Sequence, residues 1–229
     1  MNFFKINHLG NNFIFLEEFI NKEKIIKLCN VNFGIGADGV VVIKDNFMHI
    51  FNKDGSEASI CGNALICLGK YFNKDSLINT KSGIRKIKVN EFVEVNMDKP
   101  HIKKKISDKL YLVNAGNNHL VYIKDDNLDL DIVEFSKNLQ NSYKANVNII
   151  SDLNKDSFKI ETYELGVGST YACGSGLTAS FFVLHELNHV SNKIVAYTKG
   201  GNFYAFYEDG NYFIKGLPKI VCKGEILDE

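Results

Sequence analysis

Two short runs of this 229-residue chain carry a thiol in the same local setting: Cys61-Gly62-Asn63-Ala64-Leu65 and Cys173-Gly174-Ser175-Gly176-Leu177. In each, a cysteine stands where a small-residue turn meets an apolar stretch of helical character. Free backbone N–H groups and the positive end of the helix dipole favour negative charge at such a junction. A thiol there has its pKa lowered, and a carboxylate can be held beside it. An isolated Cys-Gly pair ordinarily marks a buried cysteine next to a turn. The repetition argues for more than packing, as do the polar loops leading into each cysteine, Asn52-Lys53-Asp54-Gly55-Ser56-Glu57 and Glu164-Leu165-Gly166-Val167-Gly168-Ser169. Two opposed acid/base thiols suit one chemistry above others: a proton leaves one face of a carbon and another is returned to the opposite face.

Composition narrows the partners. The chain is 45% hydrophobic and 24% charged, with 27 basic residues balancing 27 acidic ones. No global field would draw it to nucleic acid or to an anionic membrane, so a small-molecule ligand is expected. The start, Met1-Asn2-Phe3-Phe4-Lys5, lacks a long apolar region and no stretch approaches a membrane span; the expected location is the cytoplasm. The five cysteines, Cys29, Cys61, Cys67, Cys173 and Cys222, are odd in number and too sparse for a disulfide framework. No Cys-x-x-Cys occurs and the six histidines are scattered, so no metal site is expected. Cys29 and Cys67 lie on apolar helical faces and read as core. Gly34, Gly36 and Gly39 resemble a dinucleotide loop only superficially, because Val40, Val41, Val42 and Ile43 continue them as a strand rather than a helix.

The elements that must position the thiols are mostly short strands. In the first half, residues 3–6, 12–16, 40–44, 47–51, 84–89 and 92–96 have the aromatic and β-branched content of strands. The second half repeats the scheme at 111–113, 120–123, 145–150, 157–162, 194–198, 202–207 and 212–215. Helices are expected at 22–28, 63–72, 132–140 and 177–187. The helices after the two cysteines are apolar on nearly all sides, which marks them as buried. Each half therefore reads as a sheet wrapped about one central helix.

These residues resemble the diaminopimelate epimerase family along nearly the whole chain. Gly10-Asn11-Asn12-Phe13 is similar to the family's Gly-Asn-Asp-Phe, and Gly34-Ile35-Gly36-Ala37-Asp38-Gly39 matches its run of the same residues. Gly116-Asn117-Asn118-His119 is similar to Gly-Asn-Pro-His, and Asn146-Val147 to a substrate-binding Asn-Val. The two cysteine segments resemble the two catalytic segments. The resemblance implies an α+β fold of two pseudo-symmetric domains, each a barrel-like mixed sheet around a central helix, with the active site in the cleft between them. The implied domains are 1–108, joined by a returning 218–229, and 109–217. It further implies cofactor-independent inversion at an amino-acid α-carbon by Cys61 and Cys173, one as thiolate and one as thiol, with His119 and Glu164 assisting their proton traffic. Gly62, Asn63, Gly174 and Ser175 would grip the α-carboxylate through backbone N–H groups, while Asn11, Asn52, Asn117 and Asn146 would orient the rest of the substrate. On the residues alone, His119 also suits a turn cap, and the asparagines suit ordinary turns. Relatives often dimerise, so a homodimer is admitted, with no interface marked in the sequence.

Departures from the family bear on the substrate. The family's Glu at the position of Glu164 is followed by an Arg that helps hold a distal carboxylate; here that position is Leu165. The single Arg of the chain, Arg85, lies far from any motif, and Ala64, Ile66 and Asn118 also depart from the pattern. Leucine cannot replace a bidentate carboxylate fork. These differences point to a racemase of a single amino acid, histidine first, with diaminopimelate or a similar diamino diacid as the alternative. A non-catalytic amino-acid-binding relative is a third reading.

Overall fold

The computed structural model describes residues 1–125, 128 and 130–227. The same succession of elements occurs twice along them. The first half runs β1 (Asn2–His8), β2 (Asn11–Leu16), α1 (Lys22–Cys29), β3 (Gly39–Lys44), β4 (Phe47–Asn52), β5 (Glu57–Ala58), α2 (Gly62–Phe72), β6 (Ser76–Thr80), β7 (Gly83–Val89), β8 (Val93–Asn96) and β9 (His101–Ser107). The second half runs β10 (Leu110–Asn114), β11 (Asn118–Ile123), α3 (Ile132–Tyr143), β12 (Asn146–Ser151), β13 (Ser157–Glu164), β14 (Gly168–Thr170), α4 (Gly174–Glu186), β15 (Lys193–Thr198), β16 (Gly201–Glu208), β17 (Asn211–Gly216) and β18 (Lys219–Glu225).

The pairing repeats with the order. A tight Gly-Asn turn joins β1 to β2 and β10 to β11, with Gly10 at φ 87° and Gly116 at φ 90°, a backbone conformation that glycine adopts without strain. β2 then pairs in parallel with β3, as β11 does with β12, and a helix provides each crossover. The continuous burial of Val40, Val41 and Val42 fits a strand covered on both faces. β4 meets β6 in parallel, as β13 meets β15. The last strand of each half adds to the other half: β9 lies antiparallel along β10, and β18 antiparallel along β1, with Asn2 opposite Glu225 and Phe3 opposite Gly224.

Contacts divide the chain into two compact units: Met1–Val95 together with the chain from Lys215 on, and Asn96–Ile214. The sequence alone places 96–108 with the first half; the ladder to β10 is what draws β9 into the second unit. At the other end, 215–217 join the first unit, and the expected returning segment is described as far as 227, with 228 and 229 outside the described residues. In the first unit the returning chain is also tied to the start, since the Met1 amino group donates to the Ile226 carbonyl at 3.0 Å and the Ile226 N–H to the Met1 carbonyl at 2.8 Å.

Each unit encloses a helix with no polar face. α2 is buried from Gly62 to Gly69 and touches β1, β2, β7 and β18. α4 is buried from Gly174 to Leu184 and touches β10, β11, β12 and β16. The fold is thus mixed α+β and sheet-rich, with strands drawn around one apolar helix in each unit. The outer helices are ordinary amphipathic ones. Asn21 caps α1 by accepting the Lys24 N–H at 2.8 Å, and Asp131 caps α3 by accepting from Val133 and Glu134 at 3.0 Å. Gly69 lets α2 approach its sheet closely. A Cβ there would lie 2.3 Å from Cγ1 of Val93 and 3.0 Å from Cγ2 of Ile87. Gly69→Ala should therefore destabilise the protein by about 1–3 kcal/mol, because both neighbours are buried and cannot swing aside. Urea unfolding checks this, and an unchanged midpoint would show that α2 does not seat against β7 and β8.

Candidate active site

Both sequence-marked cysteines stand at the N-cap of a buried helix. Cys61 has φ −142° and ψ 112°, and Cys173 φ −128° and ψ 116°, the extended backbone of a residue that only its carbonyl joins to the helix. Those carbonyls accept the Leu65 N–H at 3.0 Å and the Leu177 N–H at 2.9 Å. Neither side chain brings an oxygen to cap the first turn, as an Asn or Asp would. The first turns at Gly62 and Asn63, and at Gly174 and Ser175, thus present N–H groups at the positive end of a helix beside a half-buried thiol.

The other thiols differ. Cys29 and Cys67 are buried; burial, with Asp38 nearby, pushes the Cys29 thiol up to about 11, and burial drives that of Cys67 well above the ordinary thiol range. Cys222 is exposed on β18. Contrary to the lowering expected at a helix start, Cys173 is held well up, first by burial and then by the negative charge of Glu164. The Ser175 hydroxyl and the Gly176 N–H oppose that push.

In the second unit the sequence-marked residues converge. His119, fully buried on β11, lies opposite Asn146 in the parallel ladder. Its Nε2 is 3.0 Å from the Ser175 hydroxyl, which is 3.5 Å from the Cys173 sulfur. His119 therefore reaches the thiol through Ser175 rather than by touching it. Glu164 ends β13 beside the Gly166–Gly168 turn, and the Asn146 Oδ1 accepts the Leu165 N–H at 2.9 Å, which fixes the loop leading to Cys173. The Leu165 side chain is 47% exposed, and Val167 and Tyr171 are open too. Lys199, in the β15–β16 turn, sets its ammonium 5.3 Å from the Tyr171 ring centre, and the Gly200 N–H donates to the Tyr171 carbonyl at 2.9 Å. Asn117 sits in the exposed turn before β11, its carbonyl accepting the Ala115 N–H at 3.0 Å.

In the first unit Cys61, Gly62 and Asn63 share one helical turn, and Asn11 stands at the end of the β1–β2 hairpin opposite His8. Asn52 is exposed and closes its own loop, donating to the Ser56 hydroxyl at 3.0 Å. His8 emerges as a residue that the motifs did not mark. Its Nδ1 is 2.9 Å from the Asn63 Oδ1, so each unit ties the residue two beyond its cysteine to a buried imidazole. Asn148 is the second such addition: fully buried, its Nδ2 lies 3.1 Å from the His119 Nδ1. Its sequence signal was available, because Asn146 and Asn148 are two apart on one strand and share a face. Among the described residues, no group of three or more His, Cys, Asp and Glu side chains converges to hold a metal ion, and no helix is long and apolar enough to cross a membrane.

The sequence profile described as diaminopimelate epimerase matches residues 3–103 and 111–219. The chain is 32% identical to the diaminopimelate epimerase of Methanocaldococcus jannaschii, over 100% of this chain and 99% of that protein. It is 30% identical to that of Carboxydothermus hydrogenoformans, over 98% and 99% respectively. Among solved structures, a hydroxyproline epimerase from Agrobacterium vitis has the same fold, with a TM-score of 0.74 at 12% identity over 99% of this chain and 90% of that one.

Burial holds both imidazoles neutral, with His8 and His119 each lowered to about 4. The unfolded chain binds more protons than the folded one below about pH 6.5, so stability is lost as pH falls from there toward about 4. Between about pH 7 and about pH 5 the loss should be on the order of 2 kcal/mol per imidazole. His8→Gln should remove roughly half of that acid sensitivity. Urea midpoints at the two pH values measure it, and an equal acid loss in the variant would show that His8 is not held neutral.

Proposed function

The chain belongs to the diaminopimelate epimerase family, and from that premise we propose that it inverts the α-carbon of an amino acid without a cofactor, using Cys61 and Cys173 as its two acid/base groups. The observation that carries this reading is the pair of thiols placed alike, at the N-cap positions of two buried helices. One sulfur, as thiolate, takes the α-proton; the other, as thiol, gives a proton to the opposite face. An ordinary thiol is only about 3% ionised near neutral pH, so the abstracting sulfur needs help from its surroundings. The N–H groups of Gly62, Asn63, Gly174 and Ser175 would hold the substrate carboxylate and stabilise charge as it develops at the adjacent carbon. Glu164, beside Cys173, favours the protonated form of that sulfur and so suits it to the donor role. Asn11, Asn52, Asn117 and Asn146 would orient the amino group and side chain.

For the substrate, full-length relatives named diaminopimelate epimerase support a diamino diacid more strongly than they support histidine. Lys199 adds a cation beside the segment that leads into Cys173, where a distal carboxylate could be met. One observation favours the second reading, a single-headed amino acid such as histidine. Leu165 stands where the family has Arg, and Arg85, the one Arg in the chain, is buried on β7 and donates to the carbonyls of Ser82 and Ile84.

Cys61→Ser and Cys173→Ser should each lower racemisation by orders of magnitude in both directions, since the reverse path uses the same two groups. Loss of the α-proton signal in heavy water, followed by magnetic resonance, measures this, and near-normal turnover in either variant would sink the mechanism. Comparing kcat/KM for LL-diaminopimelate and L-histidine decides the substrate. Leu165→Arg should raise the diacid value by roughly ten- to a hundredfold, the worth of one charge-assisted hydrogen bond. A wild type that already prefers the diacid, with no gain in the variant, would show that Leu165 is no barrier.

A further inference from the structure

A chain of hydrogen bonds runs from Thr162 through Asn148, His119 and Ser175 to the Cys173 sulfur. Its amide has one orientation, because the atom 3.1 Å from the Leu120 carbonyl must be the donor, Nδ2. Its Oδ1 accepts the Thr162 hydroxyl at 3.0 Å. The second Nδ2 hydrogen faces the His119 Nδ1 at 3.1 Å, so that ring nitrogen carries a lone pair. A neutral imidazole with a lone pair on Nδ1 carries its hydrogen on Nε2, and Nε2 donates to the Ser175 hydroxyl oxygen at 3.0 Å. Ser175 accepts that bond and is left to turn its own hydrogen toward the Cys173 sulfur, 3.5 Å away. Thr162, Asn148 and His119 are all buried, where such a chain is strong and its direction fixed. Gly176 on α4 makes room for it, since a Cβ there would lie 2.3 Å from the Asn148 Oδ1.

We propose that Asn148 is a positioning residue for Cys173: by holding His119 as the Nε2–H tautomer it directs the Ser175 hydroxyl hydrogen onto the sulfur and supports the thiolate each time Cys173 gives up its proton. The catalytic meaning rests on the proposed role of Cys173; the relay itself does not. No proton leaves the relay during turnover. Cys173 passes its S–H proton to the carbanion, and the resulting thiolate accepts the Ser175 hydrogen bond until it is reprotonated.

Asn148→Asp reverses the relay. An ionised carboxylate accepts from Nδ1, and a protonated one gives its hydrogen to the Leu120 carbonyl and still shows a lone pair to Nδ1. His119 is then driven to the Nδ1–H tautomer, and the Ser175 hydrogen turns to the bare Nε2. Nitrogen-15 imidazole correlation spectra should show Nε2–H in the wild type and Nδ1–H in the variant. Alkylation of Cys173 by iodoacetamide, followed by peptide mass across a pH series, should shift to higher pH by about one unit, and kcat should fall roughly ten- to a hundredfold with little change in KM. A wild-type His119 carrying hydrogen on Nδ1, or on both nitrogens, overturns the proposal whether or not the variant folds. So does a variant whose tautomer flips while alkylation and kcat stay unchanged. Alkylation needs no substrate, so shifts in tautomer and alkylation without turnover of any amino acid would uphold the relay and refute the racemase reading instead.

Discussion

A helix that is apolar on every side has to be covered on every side, and that requirement shapes both units. α2 and α4 supply no polar face, so strands from separate parts of the chain close around each of them. The covering cannot be apolar at the helix start, where the first backbone N–H groups need partners. The chain solves this in two ways. At α1 and α3, Asn21 and Asp131 supply oxygens to those groups. At α2 and α4 a cysteine holds the same position and brings sulfur instead of oxygen, with the Gly176 N–H facing that of Cys173. An N–H group at the start of a buried helix calls for a polar partner, and a thiol supplies one less well than the oxygens of Asn21 and Asp131 do.

The two halves meet a second need by different routes. In both, an imidazole is tied to the residue two beyond the cysteine. If the halves were copies in every detail, the rings would come from matching strands. His8 comes from β1 and His119 from β11, and the Gly-Asn-Asn runs align His119 with Phe13 and His8 with Asn114. The shared requirement is therefore the tie itself rather than an inherited position. His8 fits because Gly216 opposite it has no side chain, since a Cβ there would lie 1.9 Å from Nε2. Holding both rings neutral under the sheet makes each an acid-sensitive point of the fold.

Much of this was legible in the sequence because the signals were local. The four helices, the strand at Val40–Ile43 and the two cysteine turns each announce themselves through a few neighbouring residues. Sequence reading missed β6, whose apolar content is only the adjacent Leu77 and Ile78, and otherwise missed strands without an apolar face of their own. β9 and β18 expose nearly every residue and exist through their partners β10 and β1. β5 and β14 are too short to carry a period. The same limit hid part of the site. Ser175 and His119 lie in recognisable motifs and Asn148 shares a strand face with Asn146, whereas His8 acts through Asn63, far along the chain, so no window of sequence shows what it does.

Leu165 lies in the short loop between β13 and β14. Its backbone is still anchored, the Leu165 N–H to Asn146 and the Val167 N–H to the Glu164 carbonyl at 3.1 Å. The loop backbone is thus held by its own bonds, and Leu165 and Val167 in it, with Tyr171 after β14, are exposed. Positive charge returns from another element, since Lys199 lies over the Tyr171 ring. An ammonium is a point charge on a flexible stem, whereas a guanidinium is a planar fork that fixes a carboxylate by two parallel bonds. Moving the cation from the loop to the β15–β16 turn would thus preserve attraction for a distant anion while relaxing the demand on its geometry. Under the proposed reading, such a site would discriminate among amino-acid side chains by reach and shape more than by a fixed carboxylate register.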